Sequence, residues 1–284
     1  MKVTVIIPNY QGKNYIRACL DSLRVQQGSR GAKDAAEAED PAREARFTVL
    51  VVDNGSTDGS LEIVRQEYPE VKVIALPENT GFCHAVNVGI QAADTPYVLL
   101  LNNDTMARPG FVEALCRRME SDDRIFSVSP MMLSMADDSR IDDAGDRYNA
   151  LGWAFARGKG EPAERYLKSV RIFAACGGAS LYRRDAVLSL GGFDENHFAY
   201  LEDIDIGFRA LIHGWHNVYE PQARVLHAGS GVSGSRYNAF KVKLSSANNA
   251  YMIGKNMPFL QILLNFPLLF LGFCIKTAFF TKKK

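Results

Sequence analysis

The stretch Tyr97–Asp104, YVLLLNND, decides the fold: a short apolar run stops abruptly in two amides and a carboxylate. An unbroken apolar run of this length suits a strand buried on both faces, as in parallel sheets. The polar end then falls at the strand's carboxyl edge, where open α/β sheets bind their ligands. One carboxylate beside amide oxygens is a half-site for Mg2+ or Mn2+ holding a diphosphate. Asn102, Asn103 and Asp104 can equally make a plain turn before Pro109, since Asn and Asp favour turns.

The flanking sequence repeats the pattern. Val3–Ile7, Phe47–Val52 and Val71–Leu76 are apolar, strand-like runs, and helix-like Tyr15–Val25, Ser60–Tyr68 and Cys83–Ala93 follow them in turn. After Tyr97–Leu101, Pro109 is expected to open the helix Gly110–Glu120. Such alternation predicts an α/β fold with a mostly parallel central sheet flanked by helices. Gln26–Arg46 is polar, charged and rich in Ala and Gly, and reads as a solvated surface insertion. Ser134–Ser169 is irregular and carries Tyr148, Trp153 and Phe155. Aromatic loops of this kind hold substrate, or simply pin themselves to the domain.

Composition narrows the function. With 284 residues, 47% of them hydrophobic, the chain can build one large core. A net charge of +1 supplies no global field for nucleic acid, and no basic stripe with interleaved aromatics is present, so nucleic-acid binding is not expected. The five cysteines show no close pairing, which fits reduced thiols in the cytoplasm. MKVTVIIPNY reads straight into a strand, not into a signal peptide. At the other end, Phe259–Ile275 has no charge and is followed by Lys282, Lys283 and Lys284. This run is near the lower limit for a membrane span, and Gln261, Asn265 and Pro267 interrupt it. An interfacial or re-entrant anchor with snorkelling lysines is expected, with a buried terminal helix as the alternative. The expected plan is one α/β domain over residues 1–255 and a hydrophobic, membrane-proximal segment over 256–284. Its expected location is the cytoplasm, peripheral to the inner face of the cell membrane.

The first four strands each end in polar or turn residues: Pro8–Gly12, Asp53–Ser60, Glu78–Phe82 and Asn102–Asp104. In a parallel sheet these ends share one edge and converge on one crevice. There Tyr10 can stack on a base, and Asp53 or Asn54 can bond a base edge. In the second half, YLEDIDIGFR places Glu202, Asp203 and Asp205 at one helix N-terminus, where the macrodipole favours carboxylates. Plain capping explains Glu202 and Asp205 as well. A positioned carboxylate can also take the proton of an attacking hydroxyl. Arg209 shares a helical face with Glu202 and is expected to pair with it. His227 ends the apolar segment RVLH before a Gly/Ser-rich loop, Gly229–Tyr237. A lone histidine is usually a packed side chain, yet imidazole can complete a divalent site with Asp104. Arg236 in that loop can neutralise a diphosphate. The glycines of Cys176–Ser180, Gly178 among them, permit close backbone approach to a ligand or a tight strand crossing.

PNYQGKNYIRACLDSL, VVDNGSTDGS, NTGFCHAVNVGI, LLLNNDT, CGGASLYRRD, GGFDENHFAYLEDIDIGFRA and VLHAGSGVSGSRYNAFK, in that order, resemble glycosyltransferase family 2, in its rhamnosyltransferase-like branch. The likeness runs from Val3 to about Pro258 apart from the insertion. It implies a GT-A fold and inverting transfer from a nucleotide-diphosphate sugar, dTDP-rhamnose or a UDP-sugar. The acceptor it implies is a hydroxyl of a glycan or lipid-linked molecule in cell-surface polysaccharide synthesis. Asn102–Asp104 stands where the family carries its DxD motif, with Asn102 replacing the first acid. The resemblance therefore assigns the divalent cation to Asp104 and His227, and makes Asp203 the general base in preference to Glu202. Pro8, Tyr10, Asp53 and Asn54 match the nucleoside pocket, with Asn79 and Gly81 at its side. Asn102, Asn103, Gly178, Glu202 and Arg236 complete the expected substrate contacts. Two rivals are a sugar nucleotidyltransferase and a non-catalytic nucleotide-sugar-binding module at a membrane. The first lacks a glycine-rich basic loop in PNYQGKNY. The second does not account for Asp203, Asp104 and His227 together.

Overall fold

A computed structural model describes residues 3–28, 47–229 and 238–281. Most of the Gln26–Arg46 insertion and the loop carrying Arg236 lie outside the described residues. In the first half, strand and helix alternate: β1 (Val3–Asn9), α1 (Ile16–Gly28), β2 (Phe47–Asn54), α2 (Ser60–Glu67), β3 (Lys72–Leu76), α3 (Phe82–Ala92) and β4 (Tyr97–Leu101). β1 pairs in parallel with β2 and β4, and β2 with β3. The reason the strands read as unbroken apolar runs is visible in the packing. Val5, Ile7, Val51, Leu99 and Leu101 face one core, while Ile6, Val52, Val98 and Leu100 face another across the sheet. Burial on both faces removes the polar alternation of a one-sided sheet.

The second half adds β5 (Thr105–Ala107), α4 (Phe111–Glu120), β6 (Ile125–Ser134), β7 (Ile141–Asp143), β8 (Asp146–Tyr148), β9 (Ala154–Ala156) and β10 (Val170–Ile172). Then come β11 (Ala179–Arg183), α5 (Arg184–Ser189), α6 (Glu202–Ile212), β12 (His216–His227), α7 (Ala239–Asn256) and α8 (Phe259–Thr281). The main sheet runs β10-β12-β6-β11-β4-β1-β2-β3. β11 lies antiparallel between β4 and β6, and β12 is parallel to β6. Two reversals restore direction, so the carboxyl ends of β4 and β12 and the amino end of β11 share one edge. That edge gathers the candidate site.

Three local expectations are corrected. Pro109 does not open α4: Gly110, at φ +78°, is the N-cap and Phe111 the first helical residue. The zone Ser134–Ser169 is less irregular than its composition suggests, since β7, β8 and β9 form within it. Arg209 pairs with Asp205 at 2.8 Å, one turn away, and not with Glu202. Asp205 is fully buried, and Lys255 and Asn256 of α7 also bind it. A buried carboxylate needs such partners, and here they lock α7 onto α6.

Between α7 and α8 the chain breaks at Met257–Pro258. α8 is one helix of 23 residues through Pro267, by length and composition able to cross a membrane. Its side chains lie largely outside the domain: Phe259 is 80%, Leu264 73% and Phe273 66% exposed. Large exposed apolar surface of this kind marks contact with a membrane or another protein. The middle of the helix rests on the domain near Leu151 and Trp153. Gly272 rests on the backbone of Leu151, where no Cβ fits, and Trp153 Nε1 donates to its carbonyl at 3.3 Å.

Candidate active site

His227 and Asp104 meet because β12 and β5 pair antiparallel, with His227 opposite Thr105. The backbone N–H of Ala228 donates to the Asp104 carbonyl at 3.0 Å, fixing the register. His227 Nε2 stands 3.3 Å from Asp104 Oδ1. On the other side of the ring, Nδ1 donates to Asp142 Oδ2 at 2.7 Å, and Lys159 Nζ reaches Asp142 Oδ1 at 2.5 Å. Burial disfavours the charged imidazole, but the bonds to Asp104 and Asp142 outweigh it and lift its pKa to about 9. Burial likewise pushes the Asp142 carboxyl up, and its bonds to His227 and Lys159 bring it below the ordinary range. The donor set fits a divalent cation. It offers a carboxylate oxygen and an imidazole nitrogen side by side, with the ring's far nitrogen held by a second carboxylate.

Across the same edge, the ends of β1, β2 and β4 are tied through Asn9. This fully buried side chain donates to Asp53 Oδ1 at 2.7 Å and to Ser60 Oγ at 2.9 Å, and it accepts from Asn103 Nδ2 at 2.8 Å. Asp53 also accepts from the Ser56 N–H at 3.0 Å. Asn54 organises the next turn, donating to Asn79 Oδ1 and the Gly81 carbonyl and accepting from Thr80. Asp53, Asn54 and Asn103 are thus buried and bonded to protein. Pro8 is half-buried, and Tyr10 and Asn79 are exposed at the rim. Gly81, at φ +91°, is pressed against the ring and carbonyl of Phe198, so a side chain there is excluded.

Phe198 begins the third part of the site. Phe198, Tyr200 and Leu201 all have positive φ, at 57°, 72° and 66°. Non-glycine residues pay for this conformation, and such strain concentrates at functional sites. Asn248 of α7 holds the segment, donating to the carbonyls of His197, Ala199 and Tyr200 at 2.8–2.9 Å. The strained segment delivers Glu202 and Asp203 at the start of α6. Asp203 Oδ2 accepts from the Gly177 N–H at 3.0 Å and Oδ1 from the Ile204 N–H at 2.8 Å. Burial raises the Asp203 carboxyl above its usual range, while these N–H bonds pull it back. Glu202 goes further: burial, then the Asp203 charge, lift it to about 8, and its Oε2 is buried without a partner. Burial therefore favours the neutral form at both neighbours, and two N–H bonds oppose it at Asp203.

The backbone of Cys176–Gly178 joins the halves. The Gly178 carbonyl accepts from the Asn102 N–H at 2.8 Å, and Gly177 holds Asp203. Beneath it, Asp143, Asp146 and Cys176 have ligand atoms within 4.8 Å of one another. Burial pushes Asp143 up to about 7 and the Cys176 thiol well above its usual value. This second cluster therefore favours bound protons, and its thiol suits a hard cation less well than Asp104 with His227 does. Neither Asn9 nor Asp142 is among the residues expected from sequence. Asn9 lies inside the quoted PNYQG, and Asp142 inside the acid-rich Ser134–Ser169 zone; their partners appear only once the strands are paired.

A parallel sheet edge with a carboxylate–imidazole pair at the end of β4 and a carboxylate at the start of α6 has the architecture of a GT-A sugar transferase. The model of glycosyl transferase family 2 matches residues 4–191. N-acetylglucosaminyl-diphospho-decaprenol L-rhamnosyltransferase of Mycobacterium tuberculosis is 33% identical over 214 residues, 66% of this chain and 68% of that protein. The chain belongs to glycosyl transferase family 2 and is a glycosyltransferase. Solved structures share the fold. GalNAc-T7 with UDP, GalNAc and Mn2+ gives a TM-score of 0.66 at 16% identity, covering 89% of this chain and 48% of that one. The present chain thus spans about half of GalNAc-T7. The mannosyltransferase PcManGT of Pyrobaculum calidifontis with GDP-Man and Mn2+ gives 0.55 at 16% identity, covering 97% and 75%.

Proposed function

We propose that the protein transfers a sugar, with inversion, from a nucleoside-diphosphate donor to a hydroxyl of a lipid-linked glycan in cell-surface polysaccharide synthesis. dTDP-rhamnose is the favoured donor and a UDP-sugar the alternative. The observation that carries the reading is the placement of Asp203. Its carboxylate is fixed by two N–H donors just after a strained segment, and it is proposed to share one sheet edge with Asp104 and His227. The acceptor class is supported by the rhamnosyltransferase relative, whose name specifies a diphospho-decaprenol acceptor. The apolar, exposed α8 supports a place at the inner face of the cell membrane.

Asp104 and His227 would hold a divalent cation, which neutralises charge on the leaving diphosphate when bound. Pro8, Tyr10, Asp53, Asn54, Asn79 and Gly81 form the nucleoside wall, with Tyr10 free to stack. Asn102, Asn103 and Gly178 are the proposed substrate contacts between that wall and Asp203. Arg236 is the proposed cationic contact of the diphosphate from its loop. Asp203 takes the acceptor proton as the oxygen attacks the anomeric carbon, and the carbon–diphosphate bond breaks on the opposite face. Glu202 is the proposed contact of the acceptor sugar beside the base. Product NMR tests this reading with a panel of nucleotide sugars and a lipid-linked acceptor. The glycosidic bond should have the opposite anomeric configuration to the donor; retained configuration contradicts it.

A further inference from the structure

A cleft of about 270 Å³ lies where α8 meets the domain. One wall is Tyr148, Phe173 and Phe208; the other is Met257 and Leu269, with Gln261 and Asn265 also on the α8 side. The three rings are packed together, Tyr148 stacked on Phe173 at 5.4 Å and Phe173 edge-on to Phe208 at 5.3 Å. The elements that line the cleft also carry parts of the candidate site. Phe208 lies on α6 about 7.5 Å along the axis from Asp203. Phe173 lies just before Cys176–Gly178, whose Gly177 N–H binds Asp203. Tyr148 ends β8, which begins at buried Asp146. Outward, the cleft is continuous with α8, whose Phe266 and Phe270 stack on each other and are both 57% exposed.

We infer that this cleft binds the diphosphate-proximal part of a polyprenyl chain on the acceptor, with the acceptor sugar then reaching Asp203. The inference rests on the lipid-linked acceptor proposed above. The cleft's volume matches about nine water-sized groups, or about two isoprene units. An apolar wall of aromatic rings suits a branched, unsaturated hydrocarbon. The rest of the chain follows the exposed face of α8 toward the membrane. The head group is kept near α6, so the cleft sets how far the sugar lies from the base.

Calorimetry on the full chain in phosphatidylcholine nanodiscs tests this with farnesyl diphosphate against inorganic diphosphate. Farnesyl diphosphate should bind at least about tenfold more tightly than inorganic diphosphate. Leu269→Trp, which fills the cleft from α8, should remove that gain without changing nucleotide binding. Ala150→Leu, on an exposed lining position of the opposite wall, should reduce the gain and guards against a misdocked α8. Equal binding of the two probes by the unaltered protein overturns the inference. So does a full farnesyl gain in both variants, which would assign the chain to the nanodisc lipid. A separate transfer assay with lipid-linked sugar diphosphates distinguishes the two readings. Cleft binding without transfer contradicts the proposed acceptor and leaves the cleft assigned to a prenyl chain.

Discussion

Replacing Asp203 with asparagine is expected to lower kcat by about 10²- to 10⁴-fold, the usual contribution of a positioned general base. That corresponds to about 3–5 kcal/mol of transition-state stabilisation. The substitution keeps the shape but removes the basic oxygen. It also disturbs the anchoring, because Asp203 accepts the Gly177 N–H on one oxygen and the Ile204 N–H on the other. An amide can accept only one of these and turns its NH2 toward the other. A mismatched donor pair costs about 1–3 kcal/mol of stability, which thermal unfolding of the variant will read. Donor binding should persist, since the proposed nucleoside and cation contacts lie at or beyond the carboxyl ends of β1, β2, β3, β4 and β12, away from α6. Near-normal kcat in the Asp203→Asn protein, with donor affinity intact, contradicts the assignment.

Removing either half of the carboxylate–imidazole pair is expected to weaken cation-dependent donor binding by at least about 100-fold, in Asp104→Ala and in His227→Ala alike. Unaltered affinity in calorimetry with Mn2+ would show these ligands to be wrong. The pair also dictates a pH dependence. His227, raised from 6.5 to about 9, is protonated at neutral pH in the cation-free protein. Its ion pairs contribute stability that is fully present below pH 6.5 and is lost as pH rises through about 9. A cation must displace that proton. Apparent Mn2+ affinity should therefore rise toward tenfold per pH unit between about 7 and 9, then level off. Asp142, which holds the ring from behind, keeps Nε2 aimed at Asp104 in either state.

The sheet centre was legible because Val3–Ile7, Phe47–Val52 and Tyr97–Leu101 are buried on both faces and so read as unbroken apolar runs. Convergence of their polar ends followed from parallel pairing alone. The reversed β11 was not legible: ASLYR is too short to declare a direction. β7, β8 and β9 span only three residues each, too few for any period to show, so the sequence alone does not set Asp142, Asp143 and Asp146 apart in the irregular zone Ser134–Ser169. Asn9, between Pro8 and Tyr10, gives no signal of its own in sequence, because its role lies in bridging β1 to the ends of β2 and β4. A shared helical face points Arg209 at Glu202, but Asp205, one turn away, is nearer and pairs with it. The family resemblance chose Asp203 over Glu202, and the structure separates the two by environment. Asp203 receives two N–H bonds, while Glu202 is buried with one oxygen unpaired.

Anomalous scattering from crystals grown with Mn2+ and a nucleoside diphosphate addresses the shared site most directly. One manganese peak should appear within ~2.3 Å of both Asp104 Oδ1 and His227 Nε2, with diphosphate density between it and Asp203. A peak at Asp143, Asp146 and Cys176 instead, or nucleotide bound away from this sheet edge, would contradict the account.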